Sequence, residues 1–257
     1  IQCPPGTGKT TLVKEGISKI LNRYFAFMAL GGNSDGSVLE GHSFTYEGAR
    51  NGSIIDILIR GKMMNPIILF DELDKISDTP KGEELTGILT HLTDITQNDK
   101  FHDKYFSEID FDLSKCLFIF CYNDESKVNS ILKDRMYRIE TKGYTVQEKM
   151  VIATKHLIPK IRESVHFSET EAILEEDTIK YIIQHYTREE KGVRNLKRCL
   201  EIVYTKLNLY RLMNGGSNIF KKDMSLTITF PVKVTCKLVQ QLIKKVETNS
   251  VVSSMYM

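Results

Sequence analysis

The chain has 257 residues, 41% hydrophobic and 26% charged, proportions of a soluble globular protein long enough for one large domain or two modest ones. The 35 Lys and Arg against 33 Asp and Glu leave a formal net charge of +2, which gives no electrostatic reason to expect nucleic acid or an anionic membrane as partner. Five dispersed cysteines without C-x-x-C spacing read as free thiols of a reducing compartment, and no apolar run spans a bilayer, so the expected setting is intracellular, in cytoplasm or an organelle matrix.

The chain opens with IQCPPGTGKTTL. This is the pattern G-x-x-x-x-G-K-[ST] with Cys3 in place of the first glycine. Gly6 and Gly8 let backbone N–H groups turn inward around a phosphate, Lys9 places a cation on the β and γ oxygens, and the Thr10 hydroxyl can ligate Mg²⁺ at a helix N-terminus. Pro5, Gly6, Thr7, Gly8, Lys9, Thr10 and Thr11 are therefore the expected nucleotide-binding loop, with residues 14–21 as the following helix. Cys3 sits where strand becomes loop, a place that tolerates a small side chain at ordinary backbone angles. The sequence begins at Ile1 with too few residues ahead of the loop for a whole strand, so the start reads as a cut edge.

Residues 1–142 alternate short apolar runs with helical periodicity, the mark of an α/β unit with a largely parallel sheet. Ile67, Ile68, Leu69 and Phe70 form a buried strand that ends on Asp71 and Glu72. Downstream of a phosphate loop, that pair suits an acid holding the Mg²⁺ shell (Asp71) beside one that polarises the attacking water (Glu72). Leu85, Ile88, Leu89, Leu92 and Ile95 then recur at helical spacing. A second buried strand, Leu117 to Phe120, precedes Asn123, placed to align water or γ-phosphate at the carboxyl end of the sheet. Arg135 and Arg194 are lone arginines by spacing, for which a surface ion pair is the default reading. His91, His102 and Asp103 lack ligand-like spacing and read as solvated or core residues rather than a metal site.

From residue 143 the pattern becomes helical: Ile179, Ile182, Ile183 and Tyr186 form one apolar stripe, and Val193, Leu196, Leu200, Val203, Leu207 and Tyr210 another. Residues 214–218 break the helix, 225–230 read as a strand, 238–246 as a short helix and 248–257 as a frayed end. The expected division is an α/β nucleotide-binding subdomain over 1–142, a helical lid over 143–213 and an extension over 214–257.

GTGKTTL, ALGG followed by GH-x-x-TY-x-G, NPIILFDELDK, QND-x-FHDKYF, DFDLSKCLFIF, DRMYRIETKGYT and GVRNLKRCLE together resemble the AAA+ ATPase module of Lon-type proteases over nearly all of residues 1–213. The resemblance implies a P-loop NTPase sheet flanked by helices and followed by a smaller all-helical lid. It implies ATP and Mg²⁺ at Thr10 and Asp71, Glu72 as the water-activating acid, and Asn123 as sensor 1. It also makes Arg135 an arginine finger reaching a neighbouring subunit's ATP, and Arg194 a sensor 2 residue that contacts the γ-phosphate from the lid. Tyr46, followed here by Glu47 rather than an apolar residue, falls at the substrate-gripping pore-loop position. The implied assembly is a homo-oligomeric, hexameric ring that unfolds and translocates protein substrates. The Ser-Lys dyad of Lon proteases has no counterpart in the sequence, so an ATPase without a protease site is expected. Three alternatives stand beside it: a fragment of a complete ATP-dependent Lon-type serine protease, a nucleic-acid remodelling AAA+ ATPase, and a non-hydrolysing assembly protein.

Overall fold

The computed structural model describes residues 1–32, 35–45, 47–187, 189–213 and 228–243. The chain divides into two compact units, Ile1–Gly143 and Tyr144–Met257, each with its own core.

In the first unit, strands Phe25–Ala29, Ile67–Asp71 and Leu117–Phe120 form a parallel sheet in that order. The register pairs Phe25 with Ile67 and Ala29 with Asp71 on one side, and Ile67 with Leu117 and Phe70 with Phe120 on the other. The central strand is apolar up to its last residue, Asp71, because both faces are covered, and Ile67, Ile68, Leu69 and Phe70 are fully buried. Phe70 stacks on Phe120 at 5.1 Å between ring centroids. Gln2 bridges Tyr122 on one side and Glu140 on the other, both in parallel sense, which places the start of the phosphate loop beside the Leu117–Phe120 strand. The strand Phe25–Ala29 is a finding that periodicity did not single out: Phe27 is half exposed and only Ala26 and Met28 are buried.

Helix Pro80–Thr93 carries the expected stripe, with Leu85, Ile88, Leu89 and Leu92 buried. Thr79 caps it by accepting the Gly82 N–H at 3.4 Å, and Pro80 suits the first turn, where its missing N–H is no loss. Ile95 departs from expectation, since the helix has ended by then and its side chain is 85% exposed. Periodicity alone does not mark a helix end, and Asp94 already has extended backbone.

Asp103 is wholly buried and accepts three backbone N–H groups, from Gly52 at 2.8 Å, Tyr105 at 2.9 Å and Phe106 at 3.2 Å. Its carboxylate thus ties the chain ahead of helix Ser53–Gly61 to the turn after strand Phe101–His102. Hydrogen bonds to an ionised group are worth more than neutral ones, so Asp103→Ala is expected to cost about 3 kcal/mol of stability, measured by urea unfolding.

In the second unit, helices Glu176–Tyr186 and Arg194–Met213 bury Ile179, Ile182 and Ile183 against Leu196, Leu200, Val203 and Leu207. This helical unit also holds a pair of short parallel strands, Ala172–Leu174 and Val232–Val234. The expected strand therefore lies a few residues later in the chain, and helix Cys236–Leu242 follows it. Ile228, Val234, Val239, Leu242 and Ile243, assigned by sequence to an extension, share the core of the lid helices. The expected break at 214–218 and frayed end at 248–257 lie outside the described residues.

Candidate nucleotide site

Gly6 and Gly8 hold φ of 78° and 85°, backbone angles that L side chains rarely adopt. A Cβ on Gly8 would meet nothing within 4 Å, so the demand for glycine there is conformational rather than spatial. The Thr7 hydroxyl donates to the Pro4 carbonyl at 2.9 Å and closes the loop, with Pro5 inside it. A helix starts at Lys9, earlier than expected: Lys9–Thr11, Leu12–Ile17 and Ser18–Leu21 run on continuously, the middle stretch wound as π-helix. Thr10 and Thr11 therefore sit in its first turn, where backbone N–H groups and the helix dipole favour an anion. Cys3 has no positive φ and is buried, so the missing first glycine leaves the loop unstrained.

The Lys9 ammonium donates to Asn123 Oδ1 at 2.6 Å and to the Cys3 carbonyl at 3.3 Å. Two side chains 114 residues apart thus meet at the carboxyl edge of the sheet. Asp71 ends the central strand, and its Oδ1 accepts the Glu72 N–H at 2.9 Å. Glu72 has φ 63° and ψ 37°, the left-handed region that a residue with a side chain enters at a cost of about 1–2 kcal/mol. Its carboxylate pairs with Lys75, whose ammonium is held above its ordinary pKa by that hydrogen bond.

Two further bonds join this turn to the Asn123 loop: Leu73 N–H donates to the Cys121 carbonyl at 3.1 Å, and Asp124 N–H to Asp74 Oδ2 at 3.2 Å. Sequence reasoning passed over Asp74; its only signal was a third acid closely following Asp71 and Glu72. Burial pushes the Cys121 thiol up to about 11, so it stays protonated beside the loop.

Arg135 closes helix Ser130–Asp134 and pairs with Asp94 Oδ2 at 2.7 Å. The Arg135 hydrogen bond, supported by Thr96, holds the Asp94 carboxyl down at about 2. Arg194 begins the helix Arg194–Met213 in the second unit. There both Glu190 carboxylate oxygens accept the Asn195 N–H, at 2.9 and 3.0 Å, an anion at a helix N-terminus. Tyr46 lies outside the described residues. His91 bonds Gln97 and His102 faces Asp110, and no group of three or more His, Cys, Asp or Glu side chains among the described residues could hold a metal.

The donors available to Mg²⁺ are hard oxygens, the Thr10 hydroxyl and the Asp71 carboxylate. They suit a cation that takes one or two protein ligands and fills the rest of its shell with water and phosphate.

Residues 1–144 match the family model described as "ATPase family associated with various cellular activities", and residues 163–218 match the Lon protease AAA+ ATPase lid domain. A Lon protease homolog of Acanthamoeba polyphaga mimivirus is 40% identical over 222 residues, 85% of this chain and 22% of that protein. The Lon protease of Clostridium acetobutylicum is 43% identical over 205 residues, 79% of this chain and 26% of its own length. The chain thus spans about a quarter of the length of these relatives. Among solved structures, a Thermotoga maritima RuvB P216G mutant superposes with a TM-score of 0.56 at 14% identity, over 94% of this chain and 60% of that one, a likeness of fold. No helix among the described residues is long and apolar enough to cross a membrane. With a phosphate loop, an acidic strand end and a Lon-type lid in one sequence, the chain belongs to the ATPase family associated with various cellular activities, as a Lon-type AAA+ module homologous to Lon proteases.

Proposed function

We propose that this module hydrolyses ATP, itself cuts no peptide bond, and applies the energy to unfolding and translocating polypeptide in a homo-oligomeric, hexameric ring. The observation that carries the reading is the 2.6 Å contact of Lys9 with Asn123, which brings the phosphate-loop cation to the residue suited to aligning water. Thr10 and Asp71 would hold Mg²⁺, which would neutralise phosphate charge when bound. Lys9 and the N–H groups of residues 6–11 cradle the phosphates. Glu72 accepts a proton from the attacking water as the bond between the γ-phosphorus and ADP breaks, and Asn123 orients that water. Arg194 would take the part of the sensor 2 arginine, and Arg135 would serve the nucleotide of a neighbouring subunit.

An aromatic side chain presses on extended backbone with little sequence preference, which suits Tyr46, between two glycines at positive φ, Gly41 and Gly48, to a substrate grip. Tyr46→Ala is expected to leave ATP hydrolysis broadly intact and to abolish ATP-driven unfolding of a tagged model protein, followed by loss of its fluorescence. A lowered melting temperature and lost ATP binding would show instead that Tyr46 is a packing residue. Release of peptides from that substrate by the purified chain would overturn the claim that the module cuts nothing.

A further inference from the structure

The ALGG stretch ends in two glycines that are needed for different reasons. Gly32 has φ of 83°, so its own backbone calls for glycine. Gly31 is not among the glycines at positive φ, so no left-handed backbone calls for glycine there. Space is what it lacks: a Cβ built there would lie 2.2 Å from Glu72 Oε2, 3.1 Å from Glu72 Cδ and 3.2 Å from Glu72 Cβ. All three of its nearest neighbours belong to one side chain. The other carboxylate oxygen, Oε1, is held by Lys75. Glu72 is thus pinned from two sides, by the bare backbone just past strand Phe25–Ala29 and by an ammonium one turn ahead.

We propose that Gly31 is a positioning residue for Glu72, its missing side chain forming the seat in which that carboxylate rests. The proposal builds on the reading of Glu72 as the water-activating base. A methyl at Gly31 would meet the far end of a flexible side chain, so the chain folds by swinging the carboxylate away, off its pairing with Lys75. A displacement of about 1 Å at a reacting group is enough to cost a hundredfold in rate.

The test is kinetic, on the full chain. Gly31→Ala is expected to bind ATP within about twofold of wild type while kcat falls about 100-fold, a loss confined to the chemical step. The Gly31→Ala and Glu72→Gln changes together should be no worse than Glu72→Gln alone, because both remove the same positioned group. Multiplicative losses in that cycle, or full turnover in Gly31→Ala while Glu72→Gln is inactive, would overturn the seat and leave the base reading standing. Full turnover in Glu72→Gln would instead sink the base reading. Should Gly31→Ala lower the melting temperature, adding Glu72→Ala is expected to restore it. Failure to restore it would show that the methyl meets more than the Glu72 carboxylate and would overturn the seat.

Discussion

Glu72→Gln is expected to bind ATP with unchanged affinity and to release phosphate about 10²- to 10⁴-fold more slowly, whereas Lys9→Ala is expected to lose both functions. The two differ because of where their charges act. Glutamine keeps the shape of Glu72 and its reach to Lys75 but cannot take a proton from water. Lys9 is the cation of the phosphate loop, and its ammonium also carries the bonds to Asn123 and to the Cys3 carbonyl. Its removal takes away a charge-assisted contact worth about 1.5–3 kcal/mol, on the order of 10- to 100-fold in affinity, and leaves Asn123 without its partner. Isothermal titration with ATP and a phosphate-release assay separate the two outcomes. Unchanged turnover in Glu72→Gln would remove Glu72 from the chemistry.

The second large effect concerns Arg135. Within one chain it is engaged by Asp94, yet the proposed role places its guanidinium at a neighbour's γ-phosphate. Arg135→Ala is therefore expected to retain ATP binding and to lose about 10³-fold in turnover. Mixing it with Glu72→Gln subunits should restore some activity through competent mixed interfaces. Asp94→Asn separates the roles: if Arg135 serves only its ion pair, this change is as damaging as Arg135→Ala, and if Arg135 serves a neighbour, turnover survives. The carboxyl itself gives a second reading. With Arg135 removed, the Asp94 pKa is expected to rise from about 2 towards its ordinary value near 3.9, which NMR titration reports. Because the folded-state value is depressed, the pair stabilises the fold above about pH 4 and loses that contribution as pH falls towards about 2. Arg135→Ala should flatten stability across that window.

What sequence made legible was chemistry carried by contiguous residues. The loop from Gly6 to Thr11 and the strand ending on Asp71 and Glu72 each hold their spacing within a few positions, and their types alone imply phosphate and metal oxygen contacts. The strands Ile67–Asp71 and Leu117–Phe120 were equally plain, because short apolar runs of that length between polar segments favour strand over helix, although only the first is buried along its apolar run and the second buries Phe120 alone. Contacts between distant segments were not legible. Nothing in the neighbourhood of Asp94 announces Arg135, and nothing in ALGG announces a carboxylate 41 positions on. Asp103 lay beside His102 in a segment weighed as a metal candidate and set aside, yet its role is to gather three backbone N–H groups that only the folded chain brings to it. Strand Phe25–Ala29 escaped because its half-exposed Phe27 blurs the pattern that a fully covered strand displays.

The Leu73–Cys121 and Asp124–Asp74 bonds join the turn that bears Glu72 to the loop that bears Asn123. One stitch is backbone to backbone and the other backbone to carboxylate, so the two segments share a single local opening rather than fraying separately. Amide protons of Leu73 and Asp124 then exchange with solvent on one common timescale, although they belong to segments some 50 positions apart. A displacement of the Asn123 loop is thus expected to carry the Glu72 turn with it.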